Sequence, residues 1–205
     1  LSGKNMKKLI VKTALVTLGS LLAVFLLLLT AMTMYAPRTM ASLLDSVGNR
    51  SLSLWYTELA YQKFGETDDL TDVFDKAVAA EDTERTVKYG RTLTERADFG
   101  EICAAQDASG GRITYKNYVY GNTSLAMYAE GEEVGAVLDF AAATVTEGYL
   151  PYNAYQMLLY GEAAAEDKAF LSALKSRLEV LAGSMESEAL SADILYLDKI
   201  LQDLT

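Results

Sequence analysis

The side chains that could perform catalysis are few in this sequence and are not grouped. Histidine is absent, which removes the commonest proton-transfer group near neutral pH and the commonest metal ligand. The single cysteine, Cys103, has no histidine to activate it and no second cysteine for a disulfide or a CxxC motif. Its neighbours Ile102, Ala104 and Ala105 predict a buried structural thiol.

One short segment of the sequence matches a known motif for a nucleophilic serine. Ser172-Ala173-Leu174-Lys175 fits the Ser-x-x-Lys pattern of penicillin-recognising serine enzymes. The companion Ser-Asp-Asn and Lys-Thr-Gly motifs do not occur in the sequence. We therefore interpret the match as chance, and we predict neither a catalytic residue nor an enzymatic activity.

Carboxylates are the remaining candidates for chemistry. Four aspartates cluster near a predicted helix start, but no Asp-x-Asp-x-Asp-Gly loop frames them as a calcium site. Acids in a first helical turn are explained by the helix dipole. A hydrolase would need Glu132 paired with Glu133 or Glu147 in a cleft, yet adjacent residues point about 100° apart on a helix. We predict no metal and no cofactor. The four aspartates are Asp68, Asp69, Asp72 and Asp75.

Tyrosine is the one residue type in excess, with 13 copies. Amphipathic rings supply rigid contact area on recognition surfaces and stacking faces in sugar sites. We expect Tyr118, Tyr152 and Tyr155 to contact a partner. The alternative is that the rings only line the seams between helices, with their hydroxyls at the rim.

The N-terminal part predicts a membrane anchor. Residues 13–37 contain no charge, and as a helix they extend about 37 Å, enough to cross a hydrocarbon core of about 30 Å. A cleaved signal peptide would need a shorter apolar stretch and small residues at its cleavage site, so we expect an uncleaved signal-anchor. Four lysines precede the segment and only Arg38 follows closely, which predicts a cytoplasmic N-terminus and an exported domain.

The predicted organisation has four parts. Residues 1–12 form a cytoplasmic basic flank, 13–37 a transmembrane helix, 38–50 a linker, and 51–205 an extracytoplasmic helical repeat domain. Met6-Lys7-Lys8 is typical of a bacterial export signal, so the bacterial plasma membrane is the expected location.

The exported part is strongly acidic. Residues 1–38 carry five bases and no acid, which leaves 13 bases and 28 acids, or a net charge of −15, for residues 39–205. Nucleic acid and anionic phospholipid both require basic patches, so neither is an expected partner of this part. We expect another protein instead, with a small-molecule ligand less favoured.

Apolar residues recur three and four positions apart beyond Asn49, as in Leu171, Leu174 and Leu178, which predicts helices throughout. Glycines and caps set their ends. The predicted helices are 51–64, 68–80, 82–98, 113–130, 133–146, 151–161, 166–182 and 187–203.

A Gly-Glu pair recurs at spacings of 35, 31 and 30 residues, beginning at Gly65, Gly100, Gly131 and Gly161. After three of these glycines, Phe and Ala follow at nine and twelve residues. This period indicates repeated helical hairpins, in which the glycine ends one helix and the phenylalanine packs between units. The three Phe and Ala pairs are Phe74 with Ala77, Phe140 with Ala143, and Phe170 with Ala173.

One of these units resembles a tetratricopeptide repeat. Tyr61, Gly65, Leu70, Phe74 and Ala77 match the spacing of that helix-turn-helix motif, most clearly over residues 54–77. The resemblance implies an antiparallel helical-hairpin array, an α-solenoid, and a protein-binding scaffold.

The sequence therefore predicts an all-α protein with an N-terminal transmembrane helix and a helical-hairpin array. We expect this scaffold to bind another envelope or secreted protein. A peptide- or glycan-binding module with a tyrosine-lined groove is the alternative function, and a carboxylate-dependent hydrolase is the third.

Overall fold

The computed structural model describes residues 3–108, 110–111, 113–161 and 166–204. These residues form helices and turns without any strand, so the all-α prediction is confirmed for them. The chain divides into two compact units, Leu1–Asp69 and Leu70–Thr205. The division falls inside one helix, whereas the sequence pattern placed the domain start at residue 51.

The first unit begins with a long apolar helix, α1 (Gly3–Tyr35). Its segment Val11–Tyr35 has 25 residues and a mean hydropathy of 2.5, so it is long and apolar enough to cross a membrane. The helix ends before Ala36, whose φ of −138° is not helical. Pro37 causes this break, because a proline disfavours helical backbone at the residue before it.

Most of the predicted linker 38–50 is helical and belongs to helix α2 (Pro37–Ser46). Proline is well placed at the first position of a helix, where its missing N–H is not needed. Met40 and Ala41 are buried against α3 (Arg50–Phe64), and Ser53 Oγ donates to the Ala41 carbonyl at 3.1 Å. The sequence pattern did not predict this short helix.

The second unit contains the remaining helices. Capping side chains accept backbone N–H groups at the N-termini of five helices, including the predicted cap Ser187. The helices are α4 (Thr67–Ala79), which spans the division, α5 (Thr83–Thr94), α6 (Phe99–Asp107), α7 (Tyr115–Ala129), α8 (Val134–Ala141) with a 3₁₀ turn Ala142–Val145, α9 (Ala154–Tyr160), α10 (Lys168–Ala182) and α11 (Glu188–Asp203).

Helix α7 is packed on several sides, by α5, α6, α8 and α9. Two glycines allow the closest of these approaches. A Cβ atom on Gly90 of α5 would lie 1.9 Å from Thr123 Oγ1, and one on Gly121 of α7 would lie 2.0 Å from Met157 Sδ of α9. Gly121 and Thr123 are two residues apart, or about 200° around a helix. Therefore α5 and α9 lie on nearly opposite sides of α7.

The recurring Gly-Glu pairs fall where helices meet, with one exception. Gly65 lies between α3 and α4, Gly131 between α7 and α8, and Gly161 between α9 and α10. Gly65 and Gly131 have the predicted left-handed backbone, with φ of 67° and 77°. Gly161 does not, since its φ is −72°. Gly100 is the exception, because it lies in the first turn of α6, a helix that the pattern did not predict.

The three repeated phenylalanines share a neighbour but not an equivalent position. Phe74 and Phe170 are fully buried, whereas Phe140 is only partly buried. Each ring contacts a different tyrosine of α7. The ring pairs and centroid distances are Phe74 with Tyr118 at 5.9 Å, Phe140 with Tyr120 at 4.8 Å, and Phe170 with Tyr128 at 4.3 Å.

Two glycine substitutions should have opposite effects on stability. We expect Gly90→Ala to cost about 1 to 3 kcal/mol, because the added methyl overpacks the contact with Thr123. Gly100→Ala should stabilise by about 0.5 to 1 kcal/mol, because this glycine is helical, exposed and has open space at its Cβ. Unfolding of the full chain in detergent, followed by circular dichroism, measures both. A Gly90→Ala chain as stable as the wild type would contradict the close packing of α5 on α7.

Candidate functional site

The three tyrosines expected to contact a partner do not form one groove. Tyr155 is 2% exposed, and its hydroxyl donates to the Leu138 carbonyl at 3.1 Å, so it packs in the core and offers little surface to a partner. Tyr118 is half-buried and Tyr152 is 50% exposed. These two line separate cavities of the second unit.

The first cavity, which we call the tyrosine cleft, has a volume of about 400 Å³. Helix α9 and the turn before it supply most of its wall, and α7 supplies one leucine. The wall is mainly apolar, and two tyrosine rings at its rim are at least half exposed. The lining residues are Leu125, Tyr152, Gln156, Met157, Tyr160 and Gly161.

A buried carboxylate on α11 holds the cleft residues in place. Asp193 is 3% exposed and accepts three hydrogen bonds. The hydroxyls of Tyr149 and Tyr160 donate to it at 2.7 Å each, and Gln156 Nε2 donates at 2.8 Å. Hydrogen bonds to a charged acceptor are stronger than neutral ones, and a buried carboxylate is tolerated only when it is satisfied in this way. The Tyr160 ring also stacks on Tyr196 of α11, with 5.4 Å between centroids.

Both tyrosine hydroxyls remain protonated donors at physiological pH. Burial, followed by the hydrogen bond to Asp193, raises the pKa of Tyr160 to about 12. The same two causes raise the pKa of Tyr149 above its ordinary value. Both hydroxyls therefore keep the proton that they donate to Asp193.

The backbone of Tyr152, whose ring is exposed, is held by a hydrogen bond. Its φ of 60° is in the left-handed region, which is uncommon for a residue other than glycine. Its N–H donates to Gln156 Oε1 at 2.7 Å, and the same amide donates to Asp193. A strained backbone conformation of this kind persists only where neighbouring contacts determine it. Tyr152 is thus connected to the carboxylate that positions Tyr160.

The second cavity, which we call the Asp75 cavity, has a volume of about 390 Å³. Tyr115 donates its hydroxyl to Asp75 at 3.3 Å and its backbone N–H to Asp107 at 2.6 Å. The Tyr115 ring stacks on Tyr118 at 5.8 Å between centroids. The lining residues are Asp75, Gln106, Asp107, Gly111, Ile113, Tyr115 and Tyr118.

Asp75 has an unusual proton affinity. Burial raises its pKa to about 6, while the hydrogen bond from Tyr115 acts in the opposite direction. Burial also raises the pKa of Cys103 to about 11. Because Cys103 is buried and protonated, it is not an activated nucleophile, as the sequence pattern predicted.

The four clustered aspartates do not converge on one point. Asp69 pairs with Arg38 within the first unit, at 2.7 Å, whereas Asp72 pairs with Lys76 at 3.1 Å. In the part of the chain that the structure describes, no group of three His, Cys, Asp or Glu residues could hold a metal ion.

The other catalytic candidates have structural partners. Glu132 pairs with Arg91 at 2.6 Å, and Glu147 lies 3.5 Å from Lys116, so these two glutamates face different cations. Ser172 donates to the carbonyl of its own helix at Lys168. Lys175 contacts Asp198 at 2.8 Å and Glu179 at 3.0 Å. Those bonds raise the pKa of Lys175, which opposes a role as a general base.

Sequence reasoning missed Gln156, Tyr160 and Asp193. One signal could have found Asp193, because Leu190, Asp193 and Leu197 share one face of α11 and all three are buried. An acid in an apolar stripe needs buried donors. The tyrosines in and just before α9, among them Tyr160, could have been predicted as those donors.

Comparison of the chain with models of known protein families, with curated proteins and with solved structures gives no match.

Replacing the buried carboxylate tests its role in positioning the cleft. We expect Asp193→Asn to cost about 1 to 3 kcal/mol, because an amide cannot accept all three hydrogen bonds and leaves a buried donor unpaired. Asp198→Asn on the same helix is the control and should cost under about 1 kcal/mol, since its ion pair is exposed. Thermal unfolding of the full chain measures both. Equal losses of stability in the two variants would contradict a stabilising role for the three hydrogen bonds to Asp193.

The pKa of Asp75 predicts a pH dependence of stability. Because this pKa is raised, the folded state binds the proton more tightly than the unfolded state does. The protonated Asp75 therefore contributes its full stabilisation below pH 3.8, and this stabilisation is lost as pH rises through about 6. An asparagine does not titrate, so the free energy of unfolding of Asp75→Asn should rise by about 2 to 3 kcal/mol relative to that of the wild type between pH 4 and pH 7. Unfolding at several pH values measures this difference. A pH-independent difference would contradict the assignment.

Proposed function

We propose that this chain is a membrane-anchored, extracytoplasmic helical-repeat scaffold that binds a segment of another envelope or secreted protein in the tyrosine cleft. The segment Val11–Tyr35 is the anchor, and the lysines before it keep the N-terminus in the cytoplasm. The bacterial plasma membrane is the proposed location. The observation that carries the binding role is the pair of exposed tyrosines held by one buried carboxylate.

The order of helix contacts supports a hairpin array in the second unit. Its main contacts join helices that are next to each other or next but one along the chain, such as α5 with α7, α7 with α9, and α8 with α10. Arrays of stacked hairpins have this pattern because each unit packs only on its neighbours. The same pattern supports the resemblance to tetratricopeptide repeats. Such arrays present extended surfaces for protein recognition.

The tyrosine cleft has the features of a protein-binding hot spot. Binding energy is concentrated in aromatic residues that lie beside well-packed pockets, and Tyr is among the commonest of them. Tyr152 and Tyr160 are 50% and 58% exposed, and hydrogen bonds within the protein hold the Tyr152 backbone and the Tyr160 hydroxyl. Fixing them before binding lowers the entropy that association must overcome.

The chemistry of the cleft favours an apolar protein side chain as its occupant. The Gln156 amide and the Tyr160 hydroxyl are already engaged with Tyr152 and Asp193. A glycan would require free polar groups at those positions. The volume of about 400 Å³ does fall within the usual range of ligand pockets, so a peptide-binding module is the second candidate function.

The charge of the exported part defines the surroundings of the bound side chain. Residues 39–205 have a net charge of −15, so a partner with basic residues around an apolar anchor would be attracted and steered. An acidic partner would be repelled.

Site-specific photo-crosslinking in intact cells tests the proposal. A benzophenone amino acid at position 152 should capture one protein reproducibly, because Tyr152 lies at the rim of the cleft. The same probe at Val180, which is 74% exposed on α10 and outside the cleft, is the control and should capture none. Equal capture at the two positions, or none at position 152, would contradict the proposal.

Affinity for the captured protein provides the quantitative test. Tyr152→Ala should weaken binding by about 2 kcal/mol or more, or about 30-fold, as expected for a hot-spot tyrosine. Val180→Ala should leave the affinity unchanged. Titration of the purified full chain in nanodiscs measures both.

A further inference from the structure

Aromatic and basic residues of the first unit surround the C-terminal end of the apolar helix. Lys63 of α3 donates to the Met34 carbonyl in the last turn of α1. Its ammonium lies 5.6 Å from the ring centroid of Tyr35 and 5.2 Å from that of Phe64. Arg38, just past the helix, lies 4.6 Å from the Phe64 centroid. Cations and aromatic rings thus meet where the apolar segment ends.

A second contact ties α3 to the apolar segment itself. Thr33 uses its hydroxyl proton to donate to the Leu29 carbonyl at 2.9 Å. The 2.9 Å contact between Thr33 and Tyr56 therefore has Tyr56 as the donor. Trp55 packs edge-on against Tyr56 with 4.7 Å between centroids, and it is 44% exposed. Helix α3 therefore carries an exposed tryptophan packed against the tyrosine that contacts the last turn of α1.

This region exposes large apolar side chains at a much higher density along the chain than the second unit does. Six such residues fall within the 31 residues 35–65, against seven among the described residues of 70–204. Exposed apolar groups are thus concentrated in this stretch of the chain. The six are Tyr35, Leu43, Val47, Leu52, Trp55 and Phe64.

Charge separates the same region from the rest of the exported chain. Residues 38–65 contain three bases and two acids, a net charge of +1, whereas residues 66–205 contain 11 bases and 26 acids, a net charge of −15. A negatively charged bilayer surface would therefore repel residues 66–205 as a whole but not the segment next to the apolar helix.

We propose that helices α2 and α3 lie in the interfacial zone of the bilayer, with Trp55, Tyr35 and Phe64 among the lipid headgroups and Lys63 directed to the phosphates. Tyrosine and tryptophan are enriched at this depth of membrane proteins, and lysine and arginine extend their charges to the same zone. The exposed apolar residues then enter the boundary of the acyl chains, as in interfacial helices.

The bilayer is the occupant that the contacts favour. If Val11–Tyr35 spans the membrane, its last turn lies at the lipid boundary, and Tyr56 and Lys63 are bonded to that turn. No partner protein is needed to bring the exposed residues near lipid. This inference rests on the membrane anchor of the proposed function but not on the tyrosine cleft.

The single tryptophan of the chain makes the inference directly measurable. The full chain is reconstituted in vesicles of phosphatidylethanolamine and phosphatidylglycerol, with and without bromine on the acyl chains. Brominated lipids should quench Trp55 strongly, most of all when bromine is near the headgroup, and aqueous iodide should quench it weakly. The control chain carries Trp55→Phe and Val180→Trp, which moves the fluorophore to an exposed site on α10. Its emission should show the reverse pattern.

Three results would overturn the inference. A chain that carbonate removes from the vesicles lacks the anchor, so the membrane part of the proposed function fails as well. A chain that stays bound but whose Trp55 is quenched by iodide as strongly as the control contradicts only the interfacial position. A Trp55 protected from both quenchers is covered by protein, either a second copy or a partner, rather than by lipid.

Discussion

The close approach of α5 and α9 to opposite sides of α7 is the constraint on which the second unit depends. Glycine at position 90 or 121 is what permits each approach, because a Cβ there would meet Thr123 or Met157 at about 2 Å. The three repeated phenylalanines then contact tyrosines of the same α7 helix. Interiors are close-packed, so a methyl at either contact would force the neighbouring side chain to move. The position of α9 follows from this packing.

The tyrosine cleft depends on where α9 lies. Gln156, Met157 and Tyr160 all lie on α9. Asp193 on α11 accepts hydrogen bonds from Gln156 and Tyr160. A recognition site built on helices is held more precisely than one on loops. In the first unit, by contrast, the aromatic residues are held by the end of a long apolar helix. The two surfaces therefore differ in character. The tyrosine cleft belongs to a strongly acidic part of the chain, whereas the aromatic surface of the first unit belongs to a nearly neutral segment next to an apolar helix.

Helix existence was predictable because it depends on local periodicity and caps, and eight predicted helices correspond to observed ones. Helices α2 and α6 were missed because Pro37 and Gly100 are usual helix boundaries, yet each lies in the first turn of a helix here. Spacing also does not decide which of several nearby tyrosines faces the core. Tyr152 and Tyr155 are three residues apart, but Tyr152 lies in the turn before α9 and is exposed, whereas Tyr155 lies in α9 and is buried. That difference depends on tertiary contacts.

Hydrogen exchange of the full chain in nanodiscs tests the central position of α7 most directly. Amides exchange through local opening, so helices packed on several sides exchange most slowly. We expect the amides of 119–128 to be the last of the second unit to exchange, well after those of α6 and the end of α11. Exchange in α7 as fast as in those two helices would contradict a unit assembled around α7, and with it the positioning of the tyrosine cleft.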